Sequence, residues 1–248
     1  MSAAERRGDR RLRRTRGARG AHETAAETRV IAVTGAAGAL GRAVVEHLAQ
    51  SGARVVAIDL AGEIPGPAAL TVSGVALDDP AATAAAMEAI AARFGRLDGL
   101  ANIAGGFVWT TVAEAEAAVW ERMWAINLKT ALNACRAALP LLTASRGSIV
   151  NIGAAAAIKA GAGFGPYAAS KAAVARLTEA LAEEWKGKVR VNALLPTIID
   201  TPANRRDMPK ADFSAWVTPA EIAAAVAFLL SPAASGITGA LIPAPGRV

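Results

Sequence analysis

Tyr167 and Lys171, in the run YAASK, stand four residues apart, the spacing that brings two side chains together on one face of a helix. An ammonium beside a phenol stabilises the phenolate, lowers the tyrosine pKa and makes a usable general acid and base. Such a pair arises cheaply by chance, but Tyr167 is the chain's only tyrosine and it follows a predicted strand. Other chemistries lack their residues. The two histidines, His22 and His47, are far apart in sequence and have no cysteine near them, which argues against a histidine-based metal site or a Ser-His-Asp triad; no metal is expected. Lone Cys135, in ALNACRAALP, reads as a small buried helix residue.

A second group of residues suits a phosphate. TGAAGALG (Thr34 to Gly41) lies between a β-branched run and an amphipathic stretch. Its glycines let the backbone turn tightly and approach a pyrophosphate, whose charge the following helix N-terminus favours. Asp59, about 20 residues on, can accept hydrogen bonds from ribose hydroxyls. A 2′-phosphate there would meet a carboxylate, and Arg42 is the one nearby cation. The expected cofactor is therefore NAD, with NADH preferred and NADP(H) the lesser alternative.

The elements that must hold these groups alternate along the chain. Predicted strands are Arg29 to Thr34, Ala53 to Asp59, a weak one at Val72 to Leu77, Leu97 to Ala104, Gly147 to Gly153, Lys188 to Leu195 and the final GALIPAP. Helical stretches fall between them: ALGRAVVEHLAQ, one from Pro80, a long one near 119–145, one near 167–185 and one from Pro219. This pattern predicts an α/β fold, a doubly wound parallel sheet (Rossmann fold), as a single domain over residues 29–248. Ligands in such folds sit beyond the C-terminal strand ends, so the loops after Thr34, Asp59, Asn102, Gly153 and Leu195 are the ones to search.

From residue 29 onward the sequence resembles the short-chain dehydrogenase/reductase family. Thr34, Gly35 and Gly41 match its T-G-x-x-x-G-x-G loop, with Ala39 in the middle glycine position and Leu40 between. Its N-N-A-G turn appears as Asn102-Ile103-Ala104-Gly105, which by resemblance places Asn102, Ala104 and Gly105 among the cofactor contacts. The resemblance implies that Asp78 contacts adenine and that Lys171 also holds the nicotinamide ribose. It further implies that Asn127, in MWAINLK, holds a relay water. Pro196 and Thr201 fit the P-G-x-x-x-T turn, Thr197 replaces its glycine, and the backbone at Ile198 is expected to reach the carboxamide. Asn151 reads as structural.

One departure changes the chemistry. The family's substrate-polarising serine lies thirteen residues before the tyrosine, and here that position is Ala154. Losing such a donor typically costs about 10²–10³ in rate. The dihydropteridine reductase branch also carries Ala there, and Leu195 to Trp216, with its DTP, N-R and MP-x-ADFS-x-W elements, is similar to that branch. The implied activity is NAD(P)H-dependent reduction of an electron-poor carbonyl, imine or quinonoid (pterin-like) ring. Aromatics at strand ends serve packing more often than stacking; as a stacking site, Phe107, Trp109 and a lid around Trp216 could enclose other flat molecules too. The alternatives are a generic alcohol dehydrogenase or 3-ketoacyl-type ketoreductase, and a non-catalytic NAD-binding regulatory protein.

Composition fits this reading. The 248 residues carry +6, but residues 1–29 hold nine Arg against Glu5, Asp9, Glu23 and Glu27, leaving the remainder near neutral. Residues 1–28 are read as an Arg-rich disordered tail without apolar periodicity. Electrostatic binding of nucleic acid or acidic lipid, or a transit peptide, are the other readings of that segment. A small-molecule substrate is expected, with no nucleic-acid partner and no membrane span. Cytoplasmic localisation is expected. By resemblance, so is a homo-dimer or homo-tetramer.

Overall fold

The computed structural model describes residues 28–247. The tail reading falls on residues 1–27, outside the described residues, save for Thr28. Seven strands form one parallel sheet: β1 (Val30–Thr34), β2 (Arg54–Ile58), β3 (Leu70–Val72), β4 (Gly99–Asn102), β5 (Ser148–Ile152), β6 (Arg190–Pro196) and β7 (Leu241–Ala244), in the order β3-β2-β1-β4-β5-β6-β7. The order reverses beside β1, the crevice where doubly wound sheets take ligands. Thr34 pairs with both Ile58 and Asn102, and Asn102 with Asn151, so the strand ends form a level rim.

Alternation along the strands feeds two cores. Ile31, Val33, Val55 and Ala57 face α1 (Ala39–Gln50) and α7 (Pro219–Leu230), meeting Val44, Leu48, Val226 and Leu229. Val30, Ala32, Val56 and Ile58 face the other way, toward Ile90 of α2 (Pro80–Phe94), Cys135 and Leu142 of α4 (Thr130–Ser145) and Leu181 of α5 (Gly165–Glu184). Cys135 is buried, as its setting predicts. Local chemistry starts these helices where the sequence places them. Asp79 caps α2 ahead of Pro80, and Gly95 ends it at φ 68°. Thr218 and Glu221 form a reciprocal cap on α7.

Three expectations change. The weak strand at Val72 to Leu77 is instead Leu70–Val72. Gly74, at φ 70°, turns the chain out of the ladder, while Val75 and Leu77 still pack into the core. The long helix near 119–145 is not uniform: α3 (Ala117–Met123) passes through a wider π-helical turn, Trp124–Lys129, before α4 begins. A short α6 (Pro202–Asp207), capped by Thr201, occupies a stretch with no predicted element. Among the described residues, no helix is long and apolar enough to cross a membrane.

Candidate active site

The C-terminal ends of β1, β2, β4, β5 and β6 open into a cleft of about 990 Å³. Its floor is the loop after β1. Gly35 turns at φ 65°, and a Cβ on Gly41 would stand 2.1 Å from the Gly35 carbonyl oxygen, so only glycine lets α1 start this close to the loop. Among the described residues no side chain caps α1, and no acid lies in its first turn, which leaves its N-terminal N–H groups to a ligand. Ala39 is exposed on the cleft side, so its methyl does not crowd the protein, and Leu40 packs beneath it. Asp59 follows β2 and accepts from the N–H groups of Ala37 and Ala61, both at 2.9 Å, tying it to the phosphate loop. Exposed Asp78 lines the same side. Thr34 fixes the facing wall: its hydroxyl accepts from Ile103 and Ala104, at 3.1 and 3.3 Å.

Across the cleft, Tyr167 and Lys171 lie on α5. The Lys171 ammonium is buried and donates to the Ile152 carbonyl at 2.8 Å. Burial pushes its pKa down to about 8 and pushes the Tyr167 phenol up to about 12. The sequence suggests that the ammonium lowers the tyrosine pKa; in the folded protein desolvation dominates instead, and the phenol keeps its proton. Asn127 sits in the π-helical turn, a local widening that recurs at functional sites. Its amide donates to the Gly106 carbonyl (3.1 Å) and the Ser170 hydroxyl (3.0 Å) and accepts from the Gly106 N–H (3.1 Å). Gly105 closes the group. A Cβ there would come within 2.6 Å of Asn127 Oδ1 and 3.4 Å of Lys171 Nζ.

The sequence pattern described as short chain dehydrogenase matches residues 29–212. The chain belongs to the short-chain dehydrogenase family. It is 38% identical over 234 residues to D-threitol dehydrogenase of Mycolicibacterium smegmatis, covering 86% of this chain and 89% of that protein. It is 32% identical over 241 residues to 3-oxoacyl-[acyl-carrier-protein] reductase of Thermotoga maritima, covering 89% and 97%. The crystal structure of a short-chain glucose/ribitol dehydrogenase from Brucella melitensis superposes with a TM-score of 0.82 at 33% identity, covering 88% and 95%. The chain is thus an oxidoreductase of a family that uses NAD(H) or NADP(H).

Within this dehydrogenase the remaining expected residues divide. Ala104, Gly105, Pro196 and Thr201 line the cleft. Asn102 does not. Its side chain is buried, donating to Asn151 (2.9 Å) and Cys135 (3.2 Å), while Asn151 donates to Thr178 at 2.9 Å. This network, with Asn151 at its centre, braces β4 against β5 beneath the site. Ile198 is also off the lining, where Ile199 stands instead, set by its bridge to Val217. Thr197 gains a bond its glycine counterpart would lack, donating to the Pro245 carbonyl at 2.7 Å. Trp216 is no lid; it is 3% exposed and packed on Phe213. Ala154 is buried at the end of β5, a methyl where the family serine would be. Several cleft residues escaped the sequence reading, among them Ile126, Thr130, Asn204 and Arg206. The Thr201-Pro202 pair, a cap followed by a first-turn proline, is the signal that would have placed the last two on a helix.

Proposed function

We propose that this chain is an NADH-preferring reductase of small, electron-poor carbonyl, imine or quinonoid substrates. The observation that carries it is the meeting of Tyr167 and buried Lys171 with the end of a dinucleotide-sized cleft floored by a phosphate loop. The cleft fits such a cofactor: a glycine cradle, an uncapped helix N-terminus and a carboxylate after β2 stand in line. Gly35, Ala39, Leu40 and Gly41 would hold the pyrophosphate, Asp59 the adenosine ribose and Asp78 the adenine. Ala104, Gly105, Lys171, Pro196 and Thr201, with the backbone at Ile199 in place of the expected Ile198, would hold the nicotinamide half. Asp59 disfavours a 2′-phosphate by charge.

When bound, the nicotinamide supplies the hydride. The chain supplies the proton. Tyr167, protonated across the physiological range, gives it to the substrate oxygen or nitrogen, completing a two-electron reduction of one hydride and one proton. Solvent restores that proton past Lys171. Asn127 positions the loop at Gly106 and Ser170 beside this path, and the second lone pair of its Oδ1 is the remaining seat for a relay water.

Ala154 narrows the substrate. A simple alkoxide would lack one hydrogen bond there, whereas a conjugated, electron-poor group spreads its charge. The resemblance of Leu195 to Trp216 to the dihydropteridine reductase branch, read from the sequence, points the same way. The names of the relatives favour a second, a generic dehydrogenase of hydroxylated or 3-oxoacyl substrates. Ala154→Ser separates them. On the first reading it changes turnover of a quinonoid dihydropterin only a few-fold and speeds reduction of unactivated ketones at least tenfold, with NADH bound tighter than NADPH throughout. A native protein that already reduces unactivated ketones well, unaltered by the serine, supports the second. NADH binding without turnover of any substrate supports a regulatory protein.

A further inference from the structure

Tyr167 is the foot of an aromatic wall. Phe107 meets it edge to face, with centroids 4.9 Å apart and ring planes at 88°, and Phe164 lies 5.1 Å from Phe107 and 6.2 Å from Tyr167. Two loops are stapled to build it. The Thr110 N–H donates to the Gly163 carbonyl at 3.0 Å, and the Trp109 indole fills the space a side chain at Gly163 would need. Packing alone does not account for these rings. Phe107 is 49% exposed and Trp109 58%, and Phe107 lines the cleft. Leaving large rings half in water forgoes stabilisation that burial would bring.

The chemistry of the wall selects an occupant. The Phe107 and Phe164 rings present no hydrogen-bonding group. A chain of hydroxyls laid against them would shed water without replacement, at a cost for each group. A planar ring would lose little and gain offset or edge-to-face contact. We infer that Phe107 is a specificity-determining residue that stacks on an aromatic or conjugated ring borne next to the reducible group. The inference rests on the hydride-transfer reading above and adds the shape of the substrate; it sets this chain apart from polyol-handling relatives.

A matched pair of substrates isolates the ring from the reactivity. 1-Phenyl-1,2-propanedione and 2,3-butanedione share an electron-poor dicarbonyl and differ by a phenyl for a methyl. Native protein should favour the phenyl compound in kcat/KM with NADH. Phe107→Ala should cut that preference at least tenfold, chiefly through KM, and Phe107→Trp should restore it. Taking the ratio cancels any general damage to turnover. A ratio within twofold of native in Phe107→Ala overturns the inference, as does native preference for an open-chain ketose over the phenyl dione. If no carbonyl is reduced at all, the hydride-transfer reading fails by itself, and binding decides the wall. Quenching of tryptophan fluorescence by the phenyl dione in the presence of NAD⁺ should then weaken at least tenfold in Phe107→Ala. Undiminished quenching overturns the stacking role, and quenching absent from native protein that instead self-associates assigns the exposed rings to a second copy of the chain.

Discussion

Burial moves Tyr167 and Lys171 on α5 in opposite directions, and both shifts favour the form that the proposed reduction needs. A phenol at about 12 is a poor base but keeps the proton that a nascent alkoxide takes. Lys171, at about 8, is charged at neutral pH at the cost of lost hydration, offset in part by the Ile152 carbonyl. That cost is visible in stability. Below pH 8 the lysine is charged folded and unfolded, and the full penalty applies. Between about 8 and the ordinary 10.5 the unfolded chain keeps the proton that the folded one has lost, so stability rises with pH. Above 10.5 the penalty is gone. Lys171→Met should remove this rise. Urea unfolding at pH 7.5 and 10.5 should show the wild-type protein gaining on the variant by on the order of 3 kcal/mol. Parallel profiles would mean that the ammonium is well solvated after all.

At the scale of elements, the phosphate loop divides its small residues sharply. Gly41→Ala must displace backbone, because its Cβ would meet both the Gly35 carbonyl and Ala36 Cα. It should weaken NADH binding more than tenfold and cost about 1–3 kcal/mol. Ala39→Gly removes an exposed methyl, so NADH affinity should stay within threefold and stability fall by no more than about 1 kcal/mol. Fluorescence titration and thermal melts check both, and equal effects would contradict the close approach. The same loop shows what was legible in sequence. Glycine spacing, Asp59 and the caps at Asp79 and Thr218 act within a few residues of the elements they define, so the order of strands and helices and the position of YAASK could be read directly. The π-helical turn could not: Asn127 is held by Gly106 and Ser170, 21 and 43 residues away, and no local preference announces it. Asn102 looked like a cofactor contact by its place in a turn, but its neighbours Cys135 and Asn151 decide its direction. Ile198 and Ile199 exchange places in the cleft through one bridge to Val217.

For the whole molecule, the C-terminal segment braces the loop after β6. The Pro245 carbonyl holds Thr197, Gly246 at φ 74° lies against the Val217 backbone, the Arg247 N–H donates to the Ala215 carbonyl at 2.8 Å, and the Arg247 guanidinium pairs with Glu221, holding that carboxyl down to about 2. Ending the chain at Ala244 should release the loop after β6. Turnover per bound NADH should fall at least fivefold while the melting temperature drops only a few degrees; full turnover would show that β6 holds the loop unaided. The opposite end of the sheet is secured differently. Arg29 donates to the Leu230 and Asp98 carbonyls, and Arg190 reaches Leu229, Ser231 and Ile237, so two guanidiniums gather around the last turn of α7. Those anchors lie at the N-terminal ends of the strands, and the cleft lies at the C-terminal ends. A tether attached at Thr28 in place of residues 1–27 would therefore leave from the far side of the sheet. On a chip or a resin, a linkage made at Thr28 would present the cleft outward to solution, whereas a linkage through the C-terminus would pull on the segment that holds Thr197.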